Sequence, residues 1–342
     1  MILSLLAITV ISAVITLTVD LHSYSVGEIL HVIFNKDNPE NDRVLNILVW
    51  DIYLPRLLAG ILGGIALGVA GTAMQSVLKN PLGSPYTLGI SNAAAFGAAL
   101  GIVIGGGHIA GQSHATIVVD NPYLVTIMAF FVAMLATGII VLLVKVTKVS
   151  PETLVLAGVA ISSIFAAGIS ALQYIYNDYA LSAITFWQFG DLGKPTWLEI
   201  GIIAVVTAGV GLFFYLHRWD FNALDNGPDV ARSLGVDVEF FRILILVLSA
   251  LVTAVVVSFM GIIAFVGLLG PHIVRRITGD DNRYVIPGSM FLGAIILLVS
   301  DCVGQNLFNF TLPVGIITSF LGGPLFLFLL IRGYRNKRGV TV

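Results

Sequence analysis

Charged side chains and cysteine are both scarce in this chain of 342 residues. Asp, Glu, Lys and Arg together make up 11% of the residues, whereas 57% are hydrophobic. The single cysteine, Cys302, excludes an internal disulfide and a cysteine cluster for a metal. The sequence contains no phosphate-binding loop of the GxxxxGK type, so the chain is not expected to hydrolyse ATP by itself. This composition is typical of an integral membrane protein without a cofactor of its own.

Residues that could form a catalytic or metal centre are few and dispersed. The six histidines have no metal-ligand spacing on a helix, although His108 and His114 share a glycine-rich segment. The acidic residues cluster at the ends of apolar runs, and Asp301 is the nearest to an exception. We therefore predict no metal site and no catalytic residue in this chain.

Nine apolar runs, each about as long as a membrane-spanning helix or longer, dominate the sequence. Residues 57–78 contain no charge and correspond to about 33 Å of helix, which matches the hydrocarbon thickness of a bilayer. Gly60, Gly64 and Gly68 recur there at every fourth position, so this face is predicted to let another backbone approach closely. The runs occupy residues 2–19, 57–78, 88–107, 123–144, 154–174, 198–216, 243–273, 285–303 and 314–331.

The run at residues 243–273 is too long for one span and too short for two of normal length. A turn near residues 259–261 would divide it into one full helix and one short helix. With that turn, 13 of the 17 Lys and Arg residues fall on the cytoplasmic side, whereas a single crossing would misplace seven of them. We therefore predict ten membrane-spanning helices with both termini in the cytoplasm.

Three segments between the runs have distinct local patterns. Residues 26–34 could form a short amphipathic helix, and the glycine-rich residues 105–122 are expected to be irregular. The region 218–242 is polar but structured, because Pro228 can start a helix, Gly235 can stop it, and a second helix can begin at residue 236. A connecting loop and a docking element for a partner are both compatible with this pattern.

Six sequence blocks cover most of the chain from Leu54 onward. They are LPRLLAG, AMQSVLKNPLGSPYTLGIS, LVLAGVAIS, ARSLGV, FVGLLGPHIVRRITGDDNR and LPVGIITSFLGGPLFLFLL. With these blocks, in this order and at these separations, the sequence resembles the FecCD-type permeases of ABC importers for iron-siderophores, haem and vitamin B12. The joint occurrence of the blocks is much more specific than any one of them.

The resemblance implies an all-α membrane protein of the type II ABC importer permease class, with ten transmembrane helices in two inverted five-helix repeats. Residues 1–342 would form one permease domain, with the first repeat at residues 1–177 and the second at residues 178–342. It also implies a homodimer embedded in the lipid of the cytoplasmic membrane, with no bound nucleic acid. Two separate ATPase subunits, which bind ATP and Mg²⁺, and an extracytoplasmic substrate-binding protein would complete the assembly.

Two kinds of cytoplasmic site follow from the resemblance. Within the region 218–242, four residues match the family's coupling helix, which enters a groove on the ATPase: Ala231, Arg232, Leu234 and Gly235. Two proline-containing loops resemble the family's gates, since proline ends a helix and fixes the bend from which a plug projects. The gate residues would be Asn80, Pro81 and Leu82 in the first loop, and Ser150, Pro151 and Glu152 in the second.

On the outer face, Arg56 matches an arginine that family members pair with glutamates of the binding protein. At two other docking positions this chain has Tyr53 and Gln305, so its docking is expected to depend less on charge. For the transport pathway, the resemblance points to the fifth and tenth helices, whose polar side chains here are all neutral. These side chains are Ser162, Ser163, Ser170, Gln173, Thr318 and Ser319.

Several functions remain open for this architecture. The resemblance implies import of a metal chelate of the iron-siderophore, haem or cobalamin type, but some relatives of the same fold carry molybdate or tungstate. An ion-coupled secondary transporter could use the same helices, although such proteins generally bury an acid near the midplane. A membrane-embedded enzyme would need His, Asp, Glu or Cys residues clustered at one depth, which the sequence lacks. The permease subunit of an ABC importer is the function that we predict.

Overall fold

The computed structural model describes residues 1–36, 38, 42–110, 116–147, 151–307 and 310–338. These residues form fifteen α-helices, a π-helical turn and one β-hairpin. In chain order the elements are α1 (Ile2–Asp20), α2 (Val26–Phe34), α3 (Arg43–Ile47), the π-turn (Leu48–Tyr53), α4 (Leu54–Leu78), α5 (Ile90–Gly105), β1 (Gly107–Ala110), β2 (Thr116–Val119), α6 (Pro122–Thr147), α7 (Pro151–Ile175), α8 (Asp178–Gln188), α9 (Trp197–Leu216), α10 (Arg218–Asp225), α11 (Pro228–Ser233), α12 (Val238–Met260), α13 (Val266–Thr278), α14 (Asn282–Asn306) and α15 (Val314–Arg338).

Membrane-spanning helices make up most of the fold. Within the described part of the chain, seven helical segments are long and apolar enough to cross a membrane. Two more apolar helices, α5 and the first part of α15, are shorter. The chain is therefore a multi-pass helical membrane protein. The seven long segments are α1, Arg43–Leu78, α6, α7, α9, α12 and α14.

The central helix α4 packs against α9, α12, α13 and α14. A Cβ atom at Gly64 would collide with the backbone of Ala294, and one at Gly68 with the carbonyl oxygen of Ser289, both on α14. The predicted close approach is therefore confirmed at these two glycines. Gly60 differs, because a Cβ atom there would meet only side-chain atoms of Leu192 and Leu298.

A second group of helices, α5 to α8, packs on the other side of α12. Its closest contact is between α5 and α6, where Gly97 faces the carbonyl oxygen of Met128 and Gly101 faces the Cα atom of Val125. Small residues again let two backbones approach, which maximises van der Waals contact where lipid provides no hydrophobic drive between helices.

The divided run at residues 243–273 is confirmed. Helix α12 ends at Met260, where Gly261 has a φ of 80°, and the short α13 begins at Val266. Glycine suits this turn because it adopts positive φ without steric cost. The apolar run is therefore broken at the place where the turn was predicted.

Two predictions for the outer segments had different outcomes. Helix α2 forms over the predicted residues, and its N-terminus is capped reciprocally: the Ser25 hydroxyl accepts from the Glu28 backbone N–H, and the Glu28 carboxylate accepts from that of Ser25. The expectation of an irregular segment at residues 105–122 is wrong in one detail, although the described part of the fold is all-α apart from this hairpin. Strands β1 and β2 pair antiparallel, with Gly107 opposite Val119. The β-branched run 116–119 favours this extended conformation.

Candidate functional site

The region 218–242 folds into two short helices, α10 and α11, before α12 begins. Pro228 occupies the first turn of α11, as predicted, and Gly235 has a φ of 87° just beyond its end. The Val236 backbone N–H donates to the Ala231 carbonyl oxygen over 3.0 Å, which closes the turn. Helix α12 starts at Val238, two residues later than predicted, because the Asp237 side chain caps it.

The four candidate coupling residues do not share one surface. Arg232 is exposed and pairs with Asp229 over 3.2 Å, while Leu234 is 68% exposed beside the open Gly235 turn. Ala231 is fully buried in the core that includes Phe221. The expectation that Ala231 contributes to the contact surface is therefore corrected, since its methyl group holds α11 against the rest of the subunit.

The first candidate gate follows α4 directly. The Asn80 side chain accepts a hydrogen bond from the Leu82 backbone N–H over 2.9 Å, and the Asn80 carbonyl oxygen accepts from Gly83 N–H over 2.8 Å. Pro81 is exposed at the tip, whereas Leu82 packs against the apolar group that includes Leu269. This is a tight turn built by one asparagine, with a proline projecting from it.

The second candidate gate is only partly within the described residues. Ser150 lies outside them, and Pro151 and Glu152 form the first turn of α7. Proline fits the first position of a helix because its missing N–H group needs no partner there.

A polar cleft of about 570 Å³ opens between the first gate and α10. It brings together the end of α4, the end of α10, the last turn of α13 and the turn before α14. Reasoning from the sequence missed this cleft. The block FVGLLGPHIVRRITGDDNR contains three of its lining residues, but nothing in the sequence indicates that they meet α4 and α10. The lining residues are Gln75, Lys79, Asn80, Pro81, Asn222, Asp225, Asn226, Arg275, Asp280 and Asp281.

In the first turn of α4, Arg56 is engaged within the subunit. Its Nε and Nη2 atoms donate to the two carboxylate oxygens of Asp301, each over 2.7 Å, and Nη2 lies 3.5 Å from Asp191. The side chains of Arg56 and Asp301 are only 14% and 4% exposed. The assignment of Arg56 to docking stays a prediction, and the pairing with Asp301 orients its guanidinium. Tyr53 and Gln305 are half-buried at the same end.

The candidate pathway residues differ in their exposure. Ser163, Ser170 and Ser319 are exposed, whereas Ser162 and Gln173 are half-buried. Thr318 is fully enclosed, and its hydroxyl donates to the Gly315 carbonyl oxygen over 3.1 Å. Its assignment to an open lining is therefore corrected.

Two of the exposed hydroxyls are satisfied within their own helices. Ser163 donates to the Val159 carbonyl oxygen over 2.9 Å, and Ser319 to that of Gly315 over 2.7 Å. Such bonds let a serine lie on an apolar helix without a further partner.

Among the residues that the structure describes, no group of three or more His, Cys, Asp and Glu side chains could hold a metal ion. His108 lies in β1, and His114 is outside the described residues.

Comparisons with known proteins agree on one family. The sequence model of the FecCD transport family matches residues 6–332. A chain of Methanocaldococcus jannaschii, provisionally assigned as an ABC transporter permease, is 43% identical over 329 residues, which cover 95% of this chain and 92% of that one. The hemin transport system permease protein HmuU of Yersinia pestis is 33% identical over 300 residues, which cover 87% of each chain.

The fold has a counterpart among solved structures. An inward-facing conformation of a transporter provisionally assigned to the metal-chelate ABC type superimposes with a TM-score of 0.83 and 27% identity. The match covers 97% of this chain and 98% of that one.

Proposed function

The chain belongs to the FecCD transport family, and from this we propose that it is the membrane subunit of an importer for a metal chelate. In this proposal two copies enclose a central pathway in the cytoplasmic membrane. Two separate ATPase subunits, which bind ATP and Mg²⁺, dock below, and a substrate-binding protein docks above. The chain itself is a transport permease and not an enzyme.

Ten crossings are the topology that we propose. The seven long spans, the two shorter apolar helices and α13 make up that number. The division at residue 177 falls between α7 and α8, so that each inverted repeat contains five crossings. The cytoplasmic side then holds both termini and 13 of the 17 Lys and Arg residues.

The observation that carries the proposal is the exposed turn formed by Leu234 and Gly235. Leu234 is 68% exposed at the tip of a polar cytoplasmic loop, and a groove on an ATPase subunit would bury this apolar side chain on docking. The turn is anchored by buried Ala231, so force on Leu234 reaches the body of the subunit. Arg232 would contribute a polar contact at the rim.

For the substrate we propose a chelate of the iron-siderophore, haem or cobalamin type. The support comes from a relative named for hemin transport and from the fold of a metal-chelate type transporter. The exposed neutral side chains of α7 and α15 would pass a chelate of either sign without holding it tightly. An oxyanion such as molybdate or tungstate is the alternative for the same fold.

The outer docking site that we propose depends on Tyr53 and Gln305, with Arg56 oriented by Asp301. The paired Asp301 also weakens the case for an ion-coupled secondary transporter. Both of its carboxylate oxygens already accept hydrogen bonds from Arg56, so neither is free to bind a coupling ion.

Purification of the tagged permease from its native cell in mild detergent tests the proposal. Mass spectrometry of the co-purifying material should find an ATPase subunit in equal amount, and a bound metal chelate would identify the substrate class. A permease that purifies alone, and that transports after reconstitution with only an ion gradient, would establish a secondary transporter instead.

A further inference from the structure

Arg275 lies where three cytoplasmic elements meet, in the last turn of α13. Its Nη1 atom is 3.6 Å from Asp225 Oδ2 at the end of α10 and 3.3 Å from Asp280 Oδ1. Its Nη2 atom donates to Ser76 Oγ on α4 over 3.3 Å. The Arg275 side chain is 16% exposed, so these contacts replace water. One guanidinium therefore touches both the docking region and the helix that leads into the gate.

Two asparagines tie α10 to the beginning of α14. The Asn282 side chain donates to Asp225 Oδ2 over 2.8 Å and to Asn222 Oδ1 over 3.0 Å. The Asn282 backbone N–H also donates to Asn222 Oδ1, over 2.8 Å. Asn282 is fully buried, and a buried amide is costly to leave without these partners. The polar side of α10 is thus fixed to α14.

A neighbouring side of α10 is fixed by aromatic packing. Phe221 is fully buried, and its ring centroid lies 5.5 Å from that of Phe214 and 5.3 Å from that of Phe241, both edge to face. Leu224 is also fully buried. Because α10 is held on two sides, it should move as a rigid body with the elements that it contacts.

The end of α4 connects this unit to the gate within one turn. The Gln75 carbonyl oxygen accepts from Asn80 N–H over 3.2 Å, and that of Ser76 from Lys79 N–H over 3.4 Å. A shift of Ser76 would therefore displace the turn that carries Pro81. The cleft between Pro81 and Asp225 leaves room for such a shift.

We propose that Arg275 is a positioning residue that links movement of α10 and α11 to the end of α4 and so to the first gate. The inference rests on the proposed function, because an ATPase docked on α11 is what would move it. Arginine suits the task, since its planar fork holds several partners in fixed directions. Burial raises the pKa of the Asp225 carboxyl, and Arg275 is the main group that opposes this rise.

The test uses the permease assembled with its co-purified ATPase subunits in lipid nanodiscs. A Lys79→Cys reporter, in a Cys302→Ser background, is labelled with a maleimide in the absence of nucleotide and again with ATP and vanadate. Position 79 is exposed beside the gate turn. The compared permeases are the parent, Arg275→Gln, Arg275→Lys and the matched control Arg283→Gln. Arg283 also pairs with an aspartate and stacks on Trp219 of α10, at 4.9 Å.

In the parent, nucleotide should change the labelling rate several-fold. Arg275→Gln should abolish that response while the complex still assembles and hydrolyses ATP. Arg275→Lys should restore part of the response, and Arg283→Gln should keep it, because Arg283 contacts α10 without bridging it to α4. An unchanged response in Arg275→Gln, or none in the parent, overturns the inference and leaves the importer assignment intact. Absence of any ATPase from the purified wild-type permease overturns both.

If Arg275→Gln fails to fold, a second variant, Asp225→Asn, still tests the inference. Asp225→Asn keeps the shape of the side chain and an oxygen to accept from Asn282, but it removes the charge that faces Arg275. Loss of the labelling response in an assembled Asp225→Asn complex supports the inference, and a normal response overturns it.

Discussion

At the scale of single residues, the pairing of Arg56 with Asp301 explains how two charged side chains are accommodated in largely apolar helices. The two side chains are far apart in sequence, and both are largely enclosed, Arg56 near the start of α4 and Asp301 near the end of α14. Each charge is tolerated there because the other balances it through two short hydrogen bonds. The contact holds the two most extensively packed helices of the subunit together.

Breaking this pair from one side should be much more harmful than removing both charges. Arg56→Met or Asp301→Leu alone should destabilise the subunit by roughly 3 to 5 kcal/mol, since each leaves an uncompensated buried charge. The double variant should recover a large part of that loss. Thermal unfolding in detergent, followed by the fraction that remains monodisperse, measures the effect. Strictly additive losses would contradict the assignment of a buried pair.

Asp281 should make stability depend on pH in the acid range. Hydrogen bonding from Arg283 lowers the pKa of this carboxyl from 3.8 to about 2. Its folded pKa lies below its unfolded pKa, so its stabilising contribution is present above the ordinary value of 3.8 and is lost as the pH falls towards 2. The wild-type midpoint of unfolding should drop over that interval. In Asp281→Asn the midpoint of unfolding should be lower than in the wild type above pH 3.8, and it should change less as the pH falls towards 2. Equal slopes for the two proteins would refute this role.

At the scale of elements, the proposed docking site for an ATPase subunit depends on the short helices α10 and α11. Local signals placed α11, since Pro228 and Gly235 mark its two ends. Which side of α11 faces outward depends on packing, and the structure turns Ala231 inward and Leu234 outward. The proposed docking surface therefore includes Arg232 and Leu234 but not Ala231.

The Gly235 turn should be required for coupling but not for membrane insertion. Gly235→Val should cost on the order of 1 to 2 kcal/mol of local strain, because a side chain is disfavoured at a φ of 87°. It would also misdirect Leu234. We expect normal yield of the permease with ATP hydrolysis that no longer drives uptake.

Uptake and ATP hydrolysis in reconstituted vesicles would measure this effect. Gly106→Ala is a control at another positive φ, of 75°, at the outer end of α5. It should keep the ratio of uptake to hydrolysis. Coupled transport by the Gly235→Val complex would disprove the role of the turn.

At the scale of the whole molecule, α7 offers an exposed face that one subunit leaves uncovered. Leu156, Val159 and Ile164 are each more than half exposed, and Ser163 and Ser170 lie exposed among them. Lipid could cover the apolar side chains. A second copy of the chain, placed across a central pathway, would explain the hydroxyls as well.

Cross-linking distinguishes these two surroundings. In a Cys302→Ser background, Ser170→Cys should join two copies through a bifunctional maleimide, giving a band of twice the subunit mass on a denaturing gel. Leu142→Cys, on α6 at 61% exposure, should remain monomeric because lipid surrounds it. Cross-linking of both variants, or of Leu142→Cys alone, would contradict the proposed pathway.

The sequence by itself determined the membrane class, most helix positions and the break at Gly261. These features depend on local hydropathy, on the placement of Lys and Arg, and on the conformational limits of glycine and proline. The Ser25 cap and the two ends of α11 are also determined by local sequence, because the residues that form them lie within a few positions of one another.

Only the tertiary structure decided which polar residues meet. Arg56 and Asp301 are 245 positions apart, and Arg275 and Ser76 are 199 apart. Hydropathy and helical period say which face of a helix is apolar, but not which distant helix will cover it. That choice depends on close packing, such as the contact of Gly64 and Gly68 with α14. For this reason, the sequence did not indicate that Arg56 pairs with Asp301. Nor did it indicate that Arg275 contacts Asp225, Asp280 and Ser76.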